Sequence, residues 1–541
     1  MTLEDRMASV TLPVPVSRPA INPWFVAVAV IVPTFMEVLD TTIANVALRY
    51  IAGGLSTAVT DSEWVITSYL AANAIILPIS GWLAAHLGRR NYFLLSIAIF
   101  TLASALCGMA TSLEQIILFR VIQGLAGGGL QPSSQGVLLD SFPPEKQGQA
   151  QTLFGLAALL APIVGPTLGG WLVVNYNWRW IFLINIPVGV VALVAAYFLV
   201  DDPDYLKKQR AELRRQPLNF DYIGLGLLAL VMSSWEIMLS KGQEWDWLGD
   251  AFWRIQTLMI LFVLGLGFLI FREMRIKNPI INFRVLGERN LAMSCLILSC
   301  AYAVLYANSF SLPNMLQVLF AYDAYRAGLV LSPGGITSIS ALLVAGFLLG
   351  RGVDARWPIA VGLVVVAASS YWTSLLNLQI SPTQVIWPRM LLTLGLGLIF
   401  APVNVAAFKY IPMHLRGAAV GLLALLRNEG GSVGTSMAQT IEERREQFHL
   451  SRVGEFIDPF NPLVNSYLER AQAFFFQRTG DAAGSQQRAL QTLANLRQQQ
   501  AASLAYFDVF WMCAVVGAAL VFLVLFMKRS VAEKGAHVGA E

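Results

Sequence analysis

The sequence contains little charge and few of the side chains that build catalytic or metal sites. Of its 541 residues only 13% are Asp, Glu, Lys or Arg, and cysteine and histidine occur four times each. The cysteines lie within or at the ends of apolar runs and the histidines are scattered: Cys107, Cys295, Cys300, Cys513, His86, His414, His449 and His537. No GxxxxGKS or GxxxxGKT phosphate loop is present. These absences argue against a disulfide framework, a metal centre, a membrane enzyme and an ATP-driven pump, and we expect no cofactor.

Apolar residues dominate instead, at 56% of the chain with a mean hydropathy of +0.60. Runs of about 20 apolar residues, the length that crosses a hydrocarbon core, recur throughout. They predict an all-α polytopic protein embedded in the lipid bilayer, with about fourteen spans. The predicted spans are residues 24–48, 63–85, 91–111, 116–139, 149–173, 179–200, 221–240, 252–271, 289–312, 326–349, 357–378, 384–408, 417–440 and 505–527.

Lys and Arg are concentrated in alternate loops, which the positive-inside rule places in the cytoplasm. Arg89 and Arg90 follow the second span, and residues 201–220 are rich in both residue types. We therefore predict that both termini are cytoplasmic. The formal net charge of +4 largely reflects this bias, so it gives no reason to expect a nucleic-acid partner.

The predicted spans group into two six-helix halves. GWLAAHLGRR after the second span and GFLLGRGVDAR after the tenth share the order glycine, apolar run and basic end, a trace of duplication. The predicted regions are a cytoplasmic tail (1–22), an N-terminal half (23–200), a basic linker (201–220), two inserted helices (221–272), five helices of the C-terminal half (273–440), a periplasmic helical segment (441–504), the last span (505–527) and a cytoplasmic tail (528–541). The loop-motif residues are Gly81, Gly88, Arg89, Arg90, Asp354 and Arg356.

The run GLAALLAPIVGPTLGGW, residues 155–171, places prolines and glycines inside an apolar span. In lipid, the backbone groups freed by proline need partners from neighbouring helices, and glycine lets helices approach closely. We predict a bent, closely packed helix that bends or slides during a conformational change. Its motif residues are Gly155, Pro162, Gly165, Pro166, Gly169 and Gly170.

Ionisable side chains inside predicted spans are costly in a bilayer and therefore mark functional candidates. Asp40 leads, and Glu37 lies three residues earlier on the same helical face. Two close carboxylates do not ionise together easily, so one is suited to carry a proton. Arg120 in the fourth span is the natural cationic partner. The alternative, in which Asp40 only bonds a neighbouring helix and its pair with Arg120 is structural, stays open at this point.

Later spans contribute a candidate second ionisable site, formed by Glu236, Arg427 and Glu429. Glu429 is either a second proton or cation site, or the partner of Arg427 near a helix kink at Gly430 and Gly431. Amide side chains within spans either line a substrate cavity or form ordinary interhelical hydrogen bonds. These amides are Asn73, Gln123, Asn185, Asn314, Gln317 and Asn404.

Residues 441–504 differ from the rest of the chain because they mix charge with aromatic side chains. Leu490, Leu493 and Leu496 recur at helical spacing. We predict an amphipathic helical element outside the membrane. It serves either as a docking surface for another protein or as a cap over the protein's own mouth.

Five ordered motifs resemble signatures of the fourteen-span drug:proton antiporters of the major facilitator superfamily. These are LDTTIANVAL (39–48), GWLAAHLGRR (81–90), LFRVIQGLAGGG (118–129), APIVGPTLGGW (161–171) and WRWIFLINIPVG (178–189). The long segment before the last span resembles EmrB-type efflux subunits most. One departure is the pair Ala85 and His86, which stands where the family usually has an acid followed by a base; Asp354 and Arg356 are candidates for an equivalent contact.

The resemblance implies a major facilitator fold and proton-driven export of hydrophobic drugs or toxic small molecules across the bacterial inner membrane, without enzymatic catalysis. It also implies that Asp40 and Arg120 act in proton coupling, and that residues 441–504 dock to a periplasmic adaptor, and through it to an outer-membrane channel. Three alternatives stay open: a proton-coupled uptake symporter, an exporter of a lipid or siderophore, and a membrane sensor or scaffold.

Overall fold

The computed structural model describes residues 22–142, 146–203, 206–207, 210–211, 221–276, 279–412, 415–458 and 460–531. The predicted N-terminal tail lies outside these residues except for Asn22, as do most of the predicted linker and residues 532–541 of the predicted C-terminal tail. Within the described residues the regular structure is entirely helical. The prediction of an all-α protein is therefore confirmed.

The first half consists of seven helices that follow the predicted apolar runs. They are α1 (Pro23–Leu55), α2 (Trp64–Leu87), α3 (Arg89–Met109), α4 (Leu113–Gly127), α5 (Leu130–Ser141), α6 (Gln147–Asn175) and α7 (Asn185–Leu199). Single helical turns at Val59–Ser62 and Trp180–Leu183 precede α2 and α7. Asn22 caps α1 by accepting a hydrogen bond from the Trp24 amide, and Pro23 occupies the first helical turn, where its missing N–H costs nothing.

Two inserted helices and the second half follow. The inserted helices are α8 (Tyr222–Lys241) and α9 (Arg254–Glu273). The second half comprises α10 (Arg289–Phe320), α11 (Ala324–Leu331), α12 (Pro333–Gly350), α13 (Arg356–Ser374), α14 (Pro382–Phe408), α15 (Arg416–Gly454), α16 (Pro462–Thr479) and α17 (Ala482–Val524).

Within each half the helices pack against one another in pairs, and other helix pairs join the two halves. In the first half α1 packs on α6 and α2 on α4, while in the second half α10 packs on α15 and α14 on both α12 and α13. The halves contact each other through α6 with α12 and through α2 with α15. Inserted helix α8 packs on α9 and touches both α2 and α15. The insertion therefore lies beside the seam between the halves.

Twelve described helices are long and apolar enough to cross a membrane. The two remaining predicted spans are not among these twelve helices. Residues 116–139 are divided between α4 and α5 at Gly128–Gly129, and residues 417–440 belong to α15, whose described buried side chains include Arg427 and Glu429. The fourteen-span count stays a prediction.

The predicted periplasmic segment is built largely from extensions of two membrane helices. Helix α15 runs 39 residues from Arg416 to Gly454, and α17 runs 43 residues from Ala482 to Val524. Helix α16 lies between them and packs on α17. Arg445 and His449 on α15 both bond the Asp508 carboxylate on α17, at 2.5 and 2.8 Å, which ties the two extensions together.

Candidate functional site

Asp40 lies in a sealed polar cluster within the first half. Its carboxylate pairs with the Arg120 guanidinium, and both side chains are fully buried. Gln123 and Asn185 donate to its other oxygen, at 3.0 and 2.7 Å. The structure thus brings together four residues that the sequence singled out, from α1, α4 and α7. Both oxygens of this buried carboxylate are hydrogen-bonded, as a low dielectric demands.

Arg120 has further partners that hold it in place. Its Nε donates to the Val65 carbonyl at 2.9 Å, and its guanidinium carbon lies 4.3 Å from the centre of the Tyr69 ring. Since a guanidinium cannot lose its proton in a protein, these contacts help to stabilise a permanent buried charge.

Glu37 belongs to a different cluster, although it lies only three residues from Asp40. Asn73 donates to Glu37 Oε1 at 3.1 Å, Tyr69 donates to the same oxygen at 3.4 Å, and Gln131 donates to Oε2. None of these side chains bonds Asp40 in the structure described. The two carboxylates therefore occupy neighbouring but separate sites.

Gln131 on α5 connects Glu37 to the opposite half. Its amide nitrogen donates to Glu37, while its carbonyl oxygen accepts from Arg427 on α15. Gln131 was not predicted as a site residue; its one signal in the sequence is a second amide, Gln135, one turn later in the same span. The chain Glu37–Gln131–Arg427 links a buried carboxylate of one half to a buried cation of the other.

A cavity lies next to the hydrogen-bonded series Glu37–Gln131–Arg427, between the two halves and the inserted helix α8. It encloses an empty volume of about 1130 Å³, its open mouth included. It extends from Glu37 and Tyr302 to Glu63 and Gln439, toward the face at which α1 ends and α2 begins. Its acidic side chains are Glu37, Glu63 and Glu236, and among the described residues no Lys, Arg or His lines it.

The opposite face is closed by contacts between the halves. Gln135 donates to Asn404 at 2.9 Å, and the rings of Phe154 and Phe400 lie 6.1 Å apart. A Cβ on Gly155 would lie 2.7 Å from Phe400 and 2.8 Å from Leu342, so a larger residue would force the halves apart there. The structure therefore shows one state of a two-sided molecule, open at one face and closed at the other.

The glycine and proline motif forms one continuous helix, α6, which passes through Pro162 and Pro166 without interruption. A Cβ on Gly165 would lie 2.2 Å from Thr42 Oγ1, so this glycine permits close packing on α1. Gly169 faces Ile43 in the same interface, and Gly170 is buried. Helix α6 thus contacts its own half through Gly165 and the other half through Gly155, which is where a sliding surface would have to lie.

Glu236 and Glu429 meet where α8 packs on α15. Both side chains are buried, and Ser432 donates to Glu236 at 3.0 Å. The expected alternative, a pair between Glu429 and Arg427, is wrong, because Arg427 points to Gln131 instead. Helix α15 is continuous through Gly430 and Gly431, and Gly430 lies directly against the backbone of Ser299 on α10.

Of the six amides predicted to line a cavity, only Asn73 does so in the structure. Gln123 and Asn185 bond Asp40, and Asn404 bonds Gln135 at the closed face. Gln317 donates to the Pro313 carbonyl of its own helix. Asn314 is not among the lining residues. The aromatic part of the lining, Tyr69, Tyr302, Tyr306 and Phe310, was missed because aromatic residues in an apolar span carry no distinguishing pattern.

The loop-motif residues act within their own halves. Arg89 pairs with Asp140 on α5, Arg90 donates to the Tyr197 carbonyl at 2.6 Å, and Gly88 adopts a φ of 89°, which favours glycine. Gly81 is an exception, because it lies against the backbone of Gly417 in the other half.

Asp354 pairs with Arg356 at 2.7 Å and accepts from the Ser530 amide. Burial opposes ionisation of Asp354, but its bonds from Arg356 and Ser530 outweigh it and hold the pKa below the ordinary value. The contact ties the loop between α12 and α13 to the end of α17.

Comparison with known proteins identifies the architecture. The sequence matches the Major Facilitator Superfamily over residues 30–435, and the chain belongs to that superfamily. It is thus, by family, a multi-pass membrane transporter. A solved structure with the same fold, the human organic anion transporter MFSD10 (TETRAN), covers 94% of this chain and is fully covered by it, with a TM-score of 0.57 at 13% identity.

Two curated relatives match almost end to end. The multidrug export protein EmrB of Haemophilus influenzae is 35% identical over 499 residues, which cover 92% of this chain and 94% of the relative. The multidrug export protein EmrB of Escherichia coli K12 is 34% identical over 516 residues, which cover 95% of this chain and 97% of the relative. The resemblance read from the five motifs is therefore confirmed.

Proposed function

We propose that this chain is an inner-membrane antiporter that exports hydrophobic small molecules in exchange for protons. The observation that carries the proposal is an acid-lined cavity, open at one face only, with Glu37 on its wall and the sealed Asp40–Arg120 pair behind it. The similarity to multidrug export proteins supports export as the direction of transport. The proton gradient is the energy source, and no cofactor takes part.

With the predicted cytoplasmic termini, the open face is the outer one, so the structure corresponds to the outward-facing state. In this state Glu37 is the carboxylate that protons from outside reach, since it lines the cavity whereas Asp40 does not. Protonation of Glu37 neutralises the carboxylate to which the Gln131 amide donates a hydrogen bond. Gln131 also accepts a hydrogen bond from Arg427 of the other half. Proton binding is thereby linked to the contact between halves.

Return to the inward-facing state requires the closed face to open. The Gln135–Asn404 bond and the Gly155 contact with α12 and α14 separate, while α6 slides along the second half. Substrate then binds from inside and favours release of the transported proton, whose path in this proposal runs through Glu37 and Asp40. One proton crossing 100 mV supplies about 2.3 kcal/mol, enough to concentrate an uncharged substrate about fifty-fold.

The segment 441–504 is proposed to dock to a periplasmic adaptor that continues toward an outer-membrane channel, as a tripartite pump. Exposed apolar side chains on this segment, including Phe456, Phe460 and Leu463, support a protein contact there. Replacing these three residues by Ser should abolish binding to the adaptor while leaving transport by the isolated protein intact.

The test of the antiport itself uses proteoliposomes with an imposed proton gradient and a panel of ethidium, tetraphenylphosphonium and decanoate. We expect at least one compound to trigger dissipation of the gradient in the wild type and none to do so in Asp40→Asn. Glu114→Gln, an exposed carboxylate at the start of the same helix as Arg120, is the matched control and should behave as wild type. An unchanged response in Asp40→Asn would remove Asp40 from the proton path.

A further inference from the structure

Arg389 on α14 is a buried cation that belongs to neither of the clusters described above. Its side chain is 2% exposed and faces α10. Nη2 donates to the Ser309 hydroxyl on α10 at 3.3 Å, while Nε and Nη1 have no hydrogen-bond partner in the described part of the chain. The guanidinium therefore has two nitrogens with unused N–H donors in a place that water barely reaches.

The side chains one turn away on both helices are apolar and buried. On one side of Arg389 lie Leu312 and Val385, which belong to a buried apolar cluster with Phe510 of α17. On the other side lie Leu305 and Leu392, which are also buried. A guanidinium cannot lose its proton in a protein, so in these surroundings its charge is costly unless an anion neutralises it.

No carboxylate in the described part of the chain pairs with Arg389. An acidic side chain that does reach α10 is Glu442 of α15, which bonds the Ser311 hydroxyl. Ser311 is two positions from Ser309, and residues two apart on a helix point in different directions. Glu442 therefore bonds a different side of α10, and the described chain offers Arg389 no anion.

The two halves place an arginine at equivalent positions. The predicted duplication matches the second span with the tenth, and therefore α1 with α10 and α4 with α14. Arg120 lies two turns after the start of α4 and contacts α1, and Arg389 lies two turns after the start of α14 and contacts α10. In the first half the contact is made with the Asp40 carboxylate, whereas in the second half it is made with the uncharged hydroxyl of Ser309.

We propose that Arg389 and Ser309 form a binding site for a small monovalent anion, chloride in the test below, which takes the role that the Asp40 carboxylate has in the first half. The unpartnered N–H groups of Arg389 donate to the anion, and a hydroxyl such as that of Ser309 can accept from Arg389 and donate to the anion at once. Water could accept the same bonds, but it would not neutralise the charge.

The size of the ion follows from the burial of the site. Arg389 does not line the transport cavity, whose described wall includes Phe310, the residue after Ser309. Ser309 itself is only partly buried, which gives a small ion a route from the cavity and excludes a drug-sized anion. The site takes no part in the proposed proton path.

The test is thermal unfolding of the purified full-length protein in detergent, with sodium chloride replaced stepwise by sodium gluconate at constant ionic strength. A ligand that binds only the folded state raises the unfolding midpoint as its concentration passes the dissociation constant. We expect the wild-type midpoint to rise by at least about 2 °C from about 1 to about 300 mM chloride, and bromide to replace chloride. A midpoint that is indifferent to chloride would overturn the proposal.

Two substitutions should remove this response in opposite ways. Arg389→Gln removes the charge that the anion neutralises. Ser309→Asp keeps that charge and supplies a carboxylate from α10, so this variant should unfold in gluconate at a higher temperature than the wild type does, and it keeps the test decisive even if Arg389→Gln does not fold. Arg326→Gln, which changes an exposed arginine on α11, is the matched control and should respond as wild type. A wild-type chloride response in Arg389→Gln or in Ser309→Asp would overturn the proposal.

Crystals grown in bromide locate the ion directly. We expect a peak of anomalous scattering beside the Arg389 guanidinium in the wild type and none there in Ser309→Asp; wild-type crystals without that peak would reject the site. These measurements need no transport. If no compound drives proton flux but the midpoint follows chloride, the anion site stands and the antiport is rejected; if proton flux is seen and the midpoint ignores chloride, the antiport stands and the anion site is rejected.

Discussion

Substituting Asp40 and substituting Arg120 should lower the stability of the protein by different amounts, although the two residues form one ion pair. Asp40→Asn leaves a guanidinium that is fully buried and cannot lose its proton, with the Val65 carbonyl, Gln123 and the rings of Tyr69 and Phe182 as its described partners. Removing one partner of a buried ion pair costs about 3–5 kcal/mol. Arg120→Gln leaves Asp40, which can take up a proton and become neutral, so the cost falls to that of lost hydrogen bonds, about 1–3 kcal/mol.

The double variant Asp40→Asn/Arg120→Gln contains no unpaired charge and should recover at least half of the stability that Asp40→Asn loses. Thermal unfolding in detergent should therefore rank wild type first, then Arg120→Gln and the double variant together, and Asp40→Asn last. Additive losses in the double variant, or an Asp40→Asn protein as stable as wild type, would refute a strongly coupled buried pair. The double variant also supplies a folded protein in which loss of transport reports coupling alone.

Three further changes test other contacts. Gln131→Leu leaves Glu37 and Arg427 without their shared hydrogen-bond partner. It should therefore lower the free energy of unfolding, measured by thermal unfolding, by about 1–3 kcal/mol for each hydrogen-bonding group left without that partner. It should also abolish substrate-triggered proton flux, and wild-type flux would contradict the link between the halves. Gly155→Val should force the closed face apart, so that a cysteine placed at Gln439 reacts more slowly with an aqueous thiol reagent; unchanged labelling would contradict the proposed rearrangement. Asp354→Asn should lower the melting temperature at neutral pH, and the difference should disappear as the pH falls through the lowered pKa of Asp354, because a carboxylate with a depressed pKa stabilises the folded state only while it is ionised.

The sequence predicted the helices well because each apolar run has to satisfy its own backbone in lipid, which leaves little alternative to a helix. It also predicted that Asp40 needs a cation and that Arg120 is the nearest candidate by type; the structure places them together. The division of the fourth span at Gly128–Gly129 was not predicted, since glycine is frequent in membrane helices and does not by itself mark a break.

What the sequence could not predict is which polar groups meet across long separations. Glu37 and Asp40 share a helix and neighbouring turns, yet they bond different partners because α4 covers one and α5 the other. Arg427 bonds Gln131, almost 300 positions away, rather than Glu429 two positions away, because residues two apart on a helix point in different directions. Such pairings depend on how the two halves and the insertion pack against one another, and no local sequence pattern predicts that packing.

Accumulation of substrate in inside-out membrane vesicles tests proton-driven export most directly. Radiolabelled tetraphenylphosphonium is offered outside the vesicles while the lumen is made acidic. Antiport predicts accumulation in the lumen above the passive level of empty vesicles, retained in Glu114→Gln and lost in Glu37→Gln or when an uncoupler collapses the gradient. Accumulation that requires an alkaline lumen would indicate symport, and accumulation that is indifferent to the gradient would contradict proton coupling altogether.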